Sequence, residues 1–220
     1  MPHFDFGYFK NSLNRKKVFK KRSILTKIVA SSEGKDYYDG DRQFGFGGYN
    51  YDGRWIKLLP KIIKKYSITK ESKVLEIGCK KGFFLNDLDI LLPGIKVFGI
   101  EDHEYPIKNS MQSVKKKIRK SKYYNLPFKN NSIDFLFGFS CIYKYNLFDL
   151  VNTLKEIQRV SKKSLISVAS YETQKEKEIF ENWTLIGNIL LHKNEWKTLF
   201  KKVGYKGDYY FTTAKSLGLI

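Results

Sequence analysis

The amino-acid sequence predicts an α/β fold with a mostly parallel central sheet of six or seven strands and helices on both faces. Three observations predict it. From residue 73 onward, short apolar runs alternate with helix-length segments, the pattern of strands joined by right-handed crossovers. The first run leads into a glycine-punctuated loop, Glu76-Ile77-Gly78-Cys79-Lys80-Lys81-Gly82. The second ends on an acid, Glu101, nineteen residues after Gly82.

Each element follows from its pattern. Trp55, Leu58, Leu59, Ile62, Ile63 and Tyr66 recur at helical spacing across Trp55–Tyr66, and Pro60 predicts a kink or a later start there. Lys73–Ile77 (KVLEI) is a short buried strand and 82–91 a helix. Lys96–Ile100 (KVFGI) is the second strand, 105–118 a basic helix, and 119–124 a brief strand before the turn Leu126-Pro127-Phe128. Ile133–Phe139 (IDFLFGF) is a strongly apolar strand, 147–160 a helix, and Ser164–Ala169 (SLISVA) another strand. A polar, helix-like run and the apolar TLIGNILLH make 172–193 an insertion on the substrate side. The helix Glu195–Val203 and the strand Asp208–Thr212 close the pattern.

The chain divides at residue 54. Residues 1–54 form a basic extension and a Gly/Tyr-rich cover segment, and 55–220 form the α/β domain. The extension carries the cluster Arg15, Lys16, Lys17, Lys20, Lys21 and Arg22. Residues 34–54 hold six glycines and four tyrosines, a density that gives turns and not a long regular element.

Composition excludes several classes. There is no apolar run of 18 residues and no charged-then-apolar leader, so the expectation is a cytoplasmic protein without a membrane span. His3, His103 and His192 fall at no metal-ligand spacing, and Cys79 and Cys141 lie in separate strands, so no metal is expected. The net charge of +19 is ambiguous in principle. Only six of the 41 basic residues are arginine, and the chain is rich in Ile, Asn, Phe and Tyr, so the charge is assigned to composition ahead of nucleic-acid binding. A small-molecule substrate is the expected partner, nucleic acid the less favoured one, and the oligomeric state is left open.

Ligands of parallel sheets bind at the carboxyl ends of the strands, so the residues after Ile77, Ile100, Phe139 and Ala169 are expected to line a site. A dinucleotide fingerprint would need glycine where Lys80 and Phe83 stand, and no Gly-Lys-Ser/Thr phosphate loop is present. Glu101 can accept both hydroxyls of a ribose. Singly, Glu76 reads as a salt-bridged strand end and Glu101 as a helix N-cap neighbour. Their joint placement at adjacent strand tips is what points to a site.

The segments VLEIGCKKGFFL, VFGIE, LPFKNNSIDFLF and EIQRVSKKSLISV resemble the class I S-adenosylmethionine (SAM)-dependent methyltransferases over residues 55–212. The flanks YYDGDRQFGFGGYNYDGRW and HKNEWKTLFKKVGYKGDYYF are similar to one subgroup of bacterial methyltransferase-domain proteins. The resemblance implies a Rossmann-like class I methyltransferase fold and SAM as cofactor. It places Gly78 and Gly82, with Glu76 and Cys79 in the same loop, under the methionine part of SAM. Glu101 and Asp102 would lie at the ribose, the 122–126 turn at the adenine, and Ser140 near the methyl group. Three departures stand out: Lys80 for a small residue, Lys122 for an acid, and Tyr143 where a histidine is frequent. Lys80 either swings to solvent or pairs with the SAM carboxylate.

The implied reaction moves the SAM methyl group to an O or N atom of a small anionic or carbohydrate-like molecule. An RNA methyltransferase and a catalytically silent SAM-fold binding protein are the alternatives. Tyr143, His192, Glu195 and Asp41 are the candidate bases. Residues 36–55 are expected to form a lid, with Arg42 or Arg54 holding the carboxylate of SAM or of an anionic substrate.

Overall fold

Val74 and Leu75, like Leu136 and Phe137, point to opposite faces of one sheet, and each face buries its own core. The computed structural model describes residues 2–8 and 22–220. Its strands are β1 (Lys73–Ile77), β2 (Lys96–Glu101), β3 (Ile118–Lys120), β4 (Ile133–Gly138), β5 (Ser161–Tyr171), β6 (Leu191–His192) and β7 (Asp208–Thr212). They run in the order β3-β2-β1-β4-β5, and both β6 and β7 pair with β5. All these pairings are parallel. The order reverses between β1 and β4, the switch point that opens a crevice above their carboxyl ends.

The helices are α1 (Ile24–Ser31), α2 (Lys35–Asp39), α3 (Arg54–Tyr66), α4 (Phe83–Leu91), α5 (Glu104–Lys108), α6 (Leu147–Val160), α7 (Gln174–Trp183) and α8 (Lys193–Val203). Trp55, Leu59 and Ile62 of α3 and Phe84 and Leu88 of α4 cover one face, against Val74 and Phe137. Leu150, Leu154 and Ile157 of α6 and Trp196 and Phe200 of α8 cover the other, against Leu75 and Leu136. The amino terminus protects the outer edge: the Phe4 amide donates to the Tyr209 carbonyl at 2.9 Å, beside a parallel bridge from His3 to Tyr209.

Three expectations change. The helix predicted at 105–118 is only α5, and a turn with a short 3-10 stretch at Lys115–Lys117 follows it. The run of lysines offers no apolar stripe, while Met111 is tied to the Lys81 carbonyl at 3.0 Å and Val114 packs over Gly82. The third strand is Ile118–Lys120, because the chain then leaves the sheet to bury Tyr123. Helix α3 runs through Pro60. Pro60 is exposed, and the stripe Trp55, Leu59, Ile62 and Tyr66 outweighs one missing hydrogen bond. Residues 172–193 contain α7, a loop and β6. Of the basic cluster, Arg15, Lys16, Lys17, Lys20 and Lys21 lie outside the described residues. No helix of the described residues is long and apolar enough to cross a membrane.

Candidate functional site at the strand tips

The loop after β1 turns on three residues with left-handed backbone, Gly78 (φ 65°), Lys80 (φ 52°) and Gly82 (φ 80°). It curls back over β2, the Gly78 amide donating to the Ile100 carbonyl at 2.8 Å and the Lys80 amide to Glu101 Oε2 at 2.8 Å. A Cβ on Gly78 would lie 2.3 Å from Cys141 Cβ, and one on Gly82 2.7 Å from Val114. At both positions an added Cβ would meet the protein's own side chains, so the close packing of Cys141 and Val114 requires glycine there. Lys80 accepts a conformation costing an L-residue about 1 kcal/mol. Its Nζ reaches the Gly78 carbonyl at 3.3 Å and the Phe139 carbonyl at 3.4 Å, bridging the tips of β1 and β4 instead of swinging to solvent.

Two buried carboxyls sit beneath this loop and differ in their partners. Glu101 is 1% exposed and accepts from the amides of Lys80, Asp102 and His103 and from the Tyr123 hydroxyl. Burial pushes its pKa up, against the pull of Lys144. Glu76 is also buried, but its Oε2 has no hydrogen-bond partner among the described residues. Burial pushes the Glu76 carboxyl well above the usual range, with nearby Lys80 acting the other way.

Beside them lies a dense ionic network. Asp102 accepts from Lys144 Nζ at 2.7 Å, His103 Nδ1 at 2.8 Å, the Tyr145 hydroxyl at 2.8 Å and the Tyr123 hydroxyl at 3.2 Å. Lys122 Nζ lies 3.5 Å from its other oxygen. Burial raises the Asp102 pKa, but the bonds from His103 and Lys144 outweigh it and leave it well below the usual range. Lys144 also holds Glu33 of the cover segment at 2.8 Å. Glu33, Asp102 and His103 converge within 4.8 Å, and the cation between the two carboxylates is the Lys144 ammonium. A cavity of about 420 Å³ opens here, with Glu33, Asp102, Lys122, Tyr145, Ile24 and Leu185 in its wall.

The cover segment is pinned by Asp39, which accepts from Lys81 Nζ at 2.7 Å, the Tyr105 hydroxyl at 2.8 Å and the Tyr49 amide at 3.1 Å. Tyr49 stacks on Phe83, ring centroids 4.8 Å apart. Tyr51 donates to Asp87 at 2.7 Å. At the end of β4, the Ser140 amide donates to Ser167 Oγ at 2.7 Å, and the Ser140 side chain bonds Tyr143. Burial pushes the Tyr143 phenol up to about 12.

The fold thus gathers Glu76, Gly78, Cys79, Gly82, Glu101, Asp102, Ser140 and Tyr143 around the tips of β1, β2 and β4. Cys79 is buried there, and burial raises its thiol pKa. Asp41, His192, Glu195, Arg54 and Arg42 each have contacts of their own. Asp41 is exposed and accepts from the Gln43 amide at 2.8 Å, an ordinary turn contact. His192 caps α8: its Nδ1 accepts from Asn194, while Glu195 accepts from the His192 amide at 2.6 Å. Arg54 is held by Asp52 at 2.6 Å, with both side chains about half exposed. Arg42 donates to the Gly45 carbonyl of its own loop. Glu33, Lys81 and Lys144 are not among the residues expected from the sequence, and Tyr123 is expected only as part of the 122–126 turn. Residue types alone carried no signal for Lys144, which meets Glu33 across 111 positions.

Residues 75–166 match the family described as Methyltransferase domain. The uncharacterized protein MJ0638 of Methanocaldococcus jannaschii is 25% identical over 190 residues, covering 81% of this chain and 79% of its own. Among solved structures, the YcgJ protein of Bacillus subtilis superposes with a TM-score of 0.56 at 15% identity, over 69% of this chain and 68% of that one. A SAM-dependent methyltransferase from Archaeoglobus fulgidus gives 0.53 at 18% identity, over 69% of each chain. The chain therefore carries a methyltransferase-domain match across 75–166, built on the Rossmann-like class I methyltransferase fold.

Proposed function

We propose that the protein is a SAM-dependent methyltransferase whose acceptor is an O or N atom of a small anionic molecule. The observation that carries this reading is Glu76, a buried carboxyl with one oxygen unpartnered at the tip of β1. Leaving a buried polar group unmatched costs about 1–3 kcal/mol, and a group so placed is explained by a donor that arrives later. The amino-acid end of SAM offers an ammonium for Glu76 and a carboxylate for Lys80, whose ammonium meets two main-chain carbonyls. Glu101 is the nearby acid for ribose hydroxyls. Its internal donors crowd onto Oε1, while Oε2 accepts only from the Lys80 amide among the described residues, so an acceptor position remains on Oε2.

When bound, SAM supplies an electrophilic methyl carbon that an acceptor lone pair takes as the sulfonium–carbon bond breaks toward sulfur. The chain's own contribution is positioning and the exclusion of water. Tyr143 is protonated at neutral pH, so it acts as a hydrogen-bond donor or orienting group and not as a resting base. A carboxylate or phosphate acceptor needs no base at all.

Calorimetric titration with SAM and with methylthioadenosine, which lacks the amino-acid end, tests the reading. SAM should bind, and methylthioadenosine should bind more weakly by the contacts of Glu76 and Lys80. A folded protein that binds neither contradicts it.

A further inference from the structure

Two arginines stand where the segment ahead of the sheet meets the 172–193 insertion, and among the described residues neither has an acid for its charged neighbour. Arg22 precedes α1, and its guanidinium lies over the Trp183 ring at the end of α7, 4.8 Å from the centroid. Its Nε is buried with no hydrogen-bond partner among the described residues. The Trp183 Nε1 is buried and unpartnered in the same way. The charged neighbour of Arg22 is Arg42, a second cation, whose guanidinium donates to the Gly45 carbonyl. Burial and the repulsion of Arg42 together lower the Arg22 pKa to about 10, and burial lowers that of Arg42. Both remain charged at neutral pH.

Two partly buried like charges, one of them over a ring whose indole N–H is unsatisfied, are costly in an empty protein. The arrangement becomes favourable when an oxyanion enters. Planar guanidiniums present paired donors to carboxylate or phosphate oxygens, and the indole adds another. The position adjoins the residues that follow β4. Tyr37 feels the charges of Arg22, Glu33, Glu101 and Tyr143 together, and Trp183 packs in the same apolar cluster as Tyr143.

We infer that Arg22, Arg42 and Trp183 form an oxyanion site that holds a carboxylate or phosphate group of the methyl acceptor. The word acceptor rests on the methyltransferase reading above; the oxyanion site does not. It also assigns a role to the two segments outside the sheet. Each supplies part of one site, so the acceptor joins the cover segment to the insertion.

The test is tryptophan fluorescence titrated with inorganic phosphate and, separately, with malonate, at constant ionic strength set by chloride. The wild type should respond saturably to at least one anion, and Trp183→Phe should abolish the signal. A stronger response to phosphate marks a phosphorylated acceptor, and a stronger one to malonate a carboxylated acceptor. Arg22→Met should weaken the preferred anion about tenfold or more. It should also melt at the same or a higher temperature, because a buried, repelled cation has been removed. SAM affinity should be unchanged in that variant. The inference is overturned by a wild type that answers neither anion beyond chloride. It is overturned equally by an Arg22→Met protein that melts lower yet binds the anion normally, which would make Arg22 a packing element. Anion and SAM competing for one place would move the arginines to the cofactor and overturn the acceptor assignment. If phosphate or malonate binds and SAM does not, the oxyanion site is supported and the methyltransferase reading is the one that fails.

Discussion

Two carboxylates stand a few residues from the same strand tips and are treated in opposite ways. Asp102 is saturated: four donors reach it at 3.2 Å or less, one of them the ammonium of a buried lysine. Glu76 keeps one oxygen with no partner. A saturated buried network is held in one geometry and resists change. An unsaturated buried group stores free energy that a ligand can release. On this comparison the Asp102–Lys144–Glu33 cluster fastens the cover segment to the core, and Glu76 and the Arg22–Arg42 pair are where the proposed reading expects binding.

The comparison is broken most severely at Lys144. Lys144→Met leaves Glu33 and Asp102 buried without their shared cation, and should destabilise by about 3–5 kcal/mol. Chemical denaturation reads this as a lower midpoint at an unchanged slope. A loss below about 1 kcal/mol, the range of exposed pairs, would show that the network is not structural.

The opposite sign is expected at Glu76. Its folded pKa is raised by burial, so between the unfolded value and the folded one the native state holds a proton that the unfolded chain has released. Stability contributed by this group therefore falls as pH rises through that window. Glu76→Gln removes the slope and should melt above the wild type at pH 8, with the gap closing toward pH 4. Melting curves across pH 4–8 check it, and a variant less stable at every pH would contradict the sign.

Smaller effects sharpen the boundary between site and scaffold. His192→Ala removes the α8 cap and should cost about 1 kcal/mol. Methyl-transfer activity should remain, since the ring serves the helix end. Arg54→Ala breaks an exposed pair and should cost about 0.5 kcal/mol or less, with SAM affinity unchanged. A specific loss of SAM binding in Arg54→Ala would return that residue to the site.

What the sequence made legible follows the same division. Strands β1, β2 and β4 are buried on both faces, so their apolar runs KVLEI, KVFGI and IDFLFGF mark them without ambiguity. The acids Glu76 and Glu101 could be placed because they stand at the carboxyl ends of these strands. The stretch 105–118 was misread because lysines carry no periodicity, and its shape is set by docking on Gly82. Contacts between distant segments were illegible for a different reason. Glu33 and Lys144, Lys81 and Asp39, or Arg22 and Trp183 meet only once the cover segment folds over the sheet. Within YYDGD nothing distinguishes Asp39, which closes α2 and pins the cover, from Asp41, which faces solvent.

The central claim is that the unpartnered oxygen of Glu76 is there for the cofactor. Melting temperatures of the wild type and Glu76→Gln, each with and without saturating SAM, test it most directly. A ligand that binds only the folded state raises stability by an amount set by its affinity. Without SAM the variant should melt higher at pH 8; with SAM the wild type should gain more, narrowing or reversing the order. Equal SAM-induced shifts in the two proteins, or no shift in either, would contradict the account.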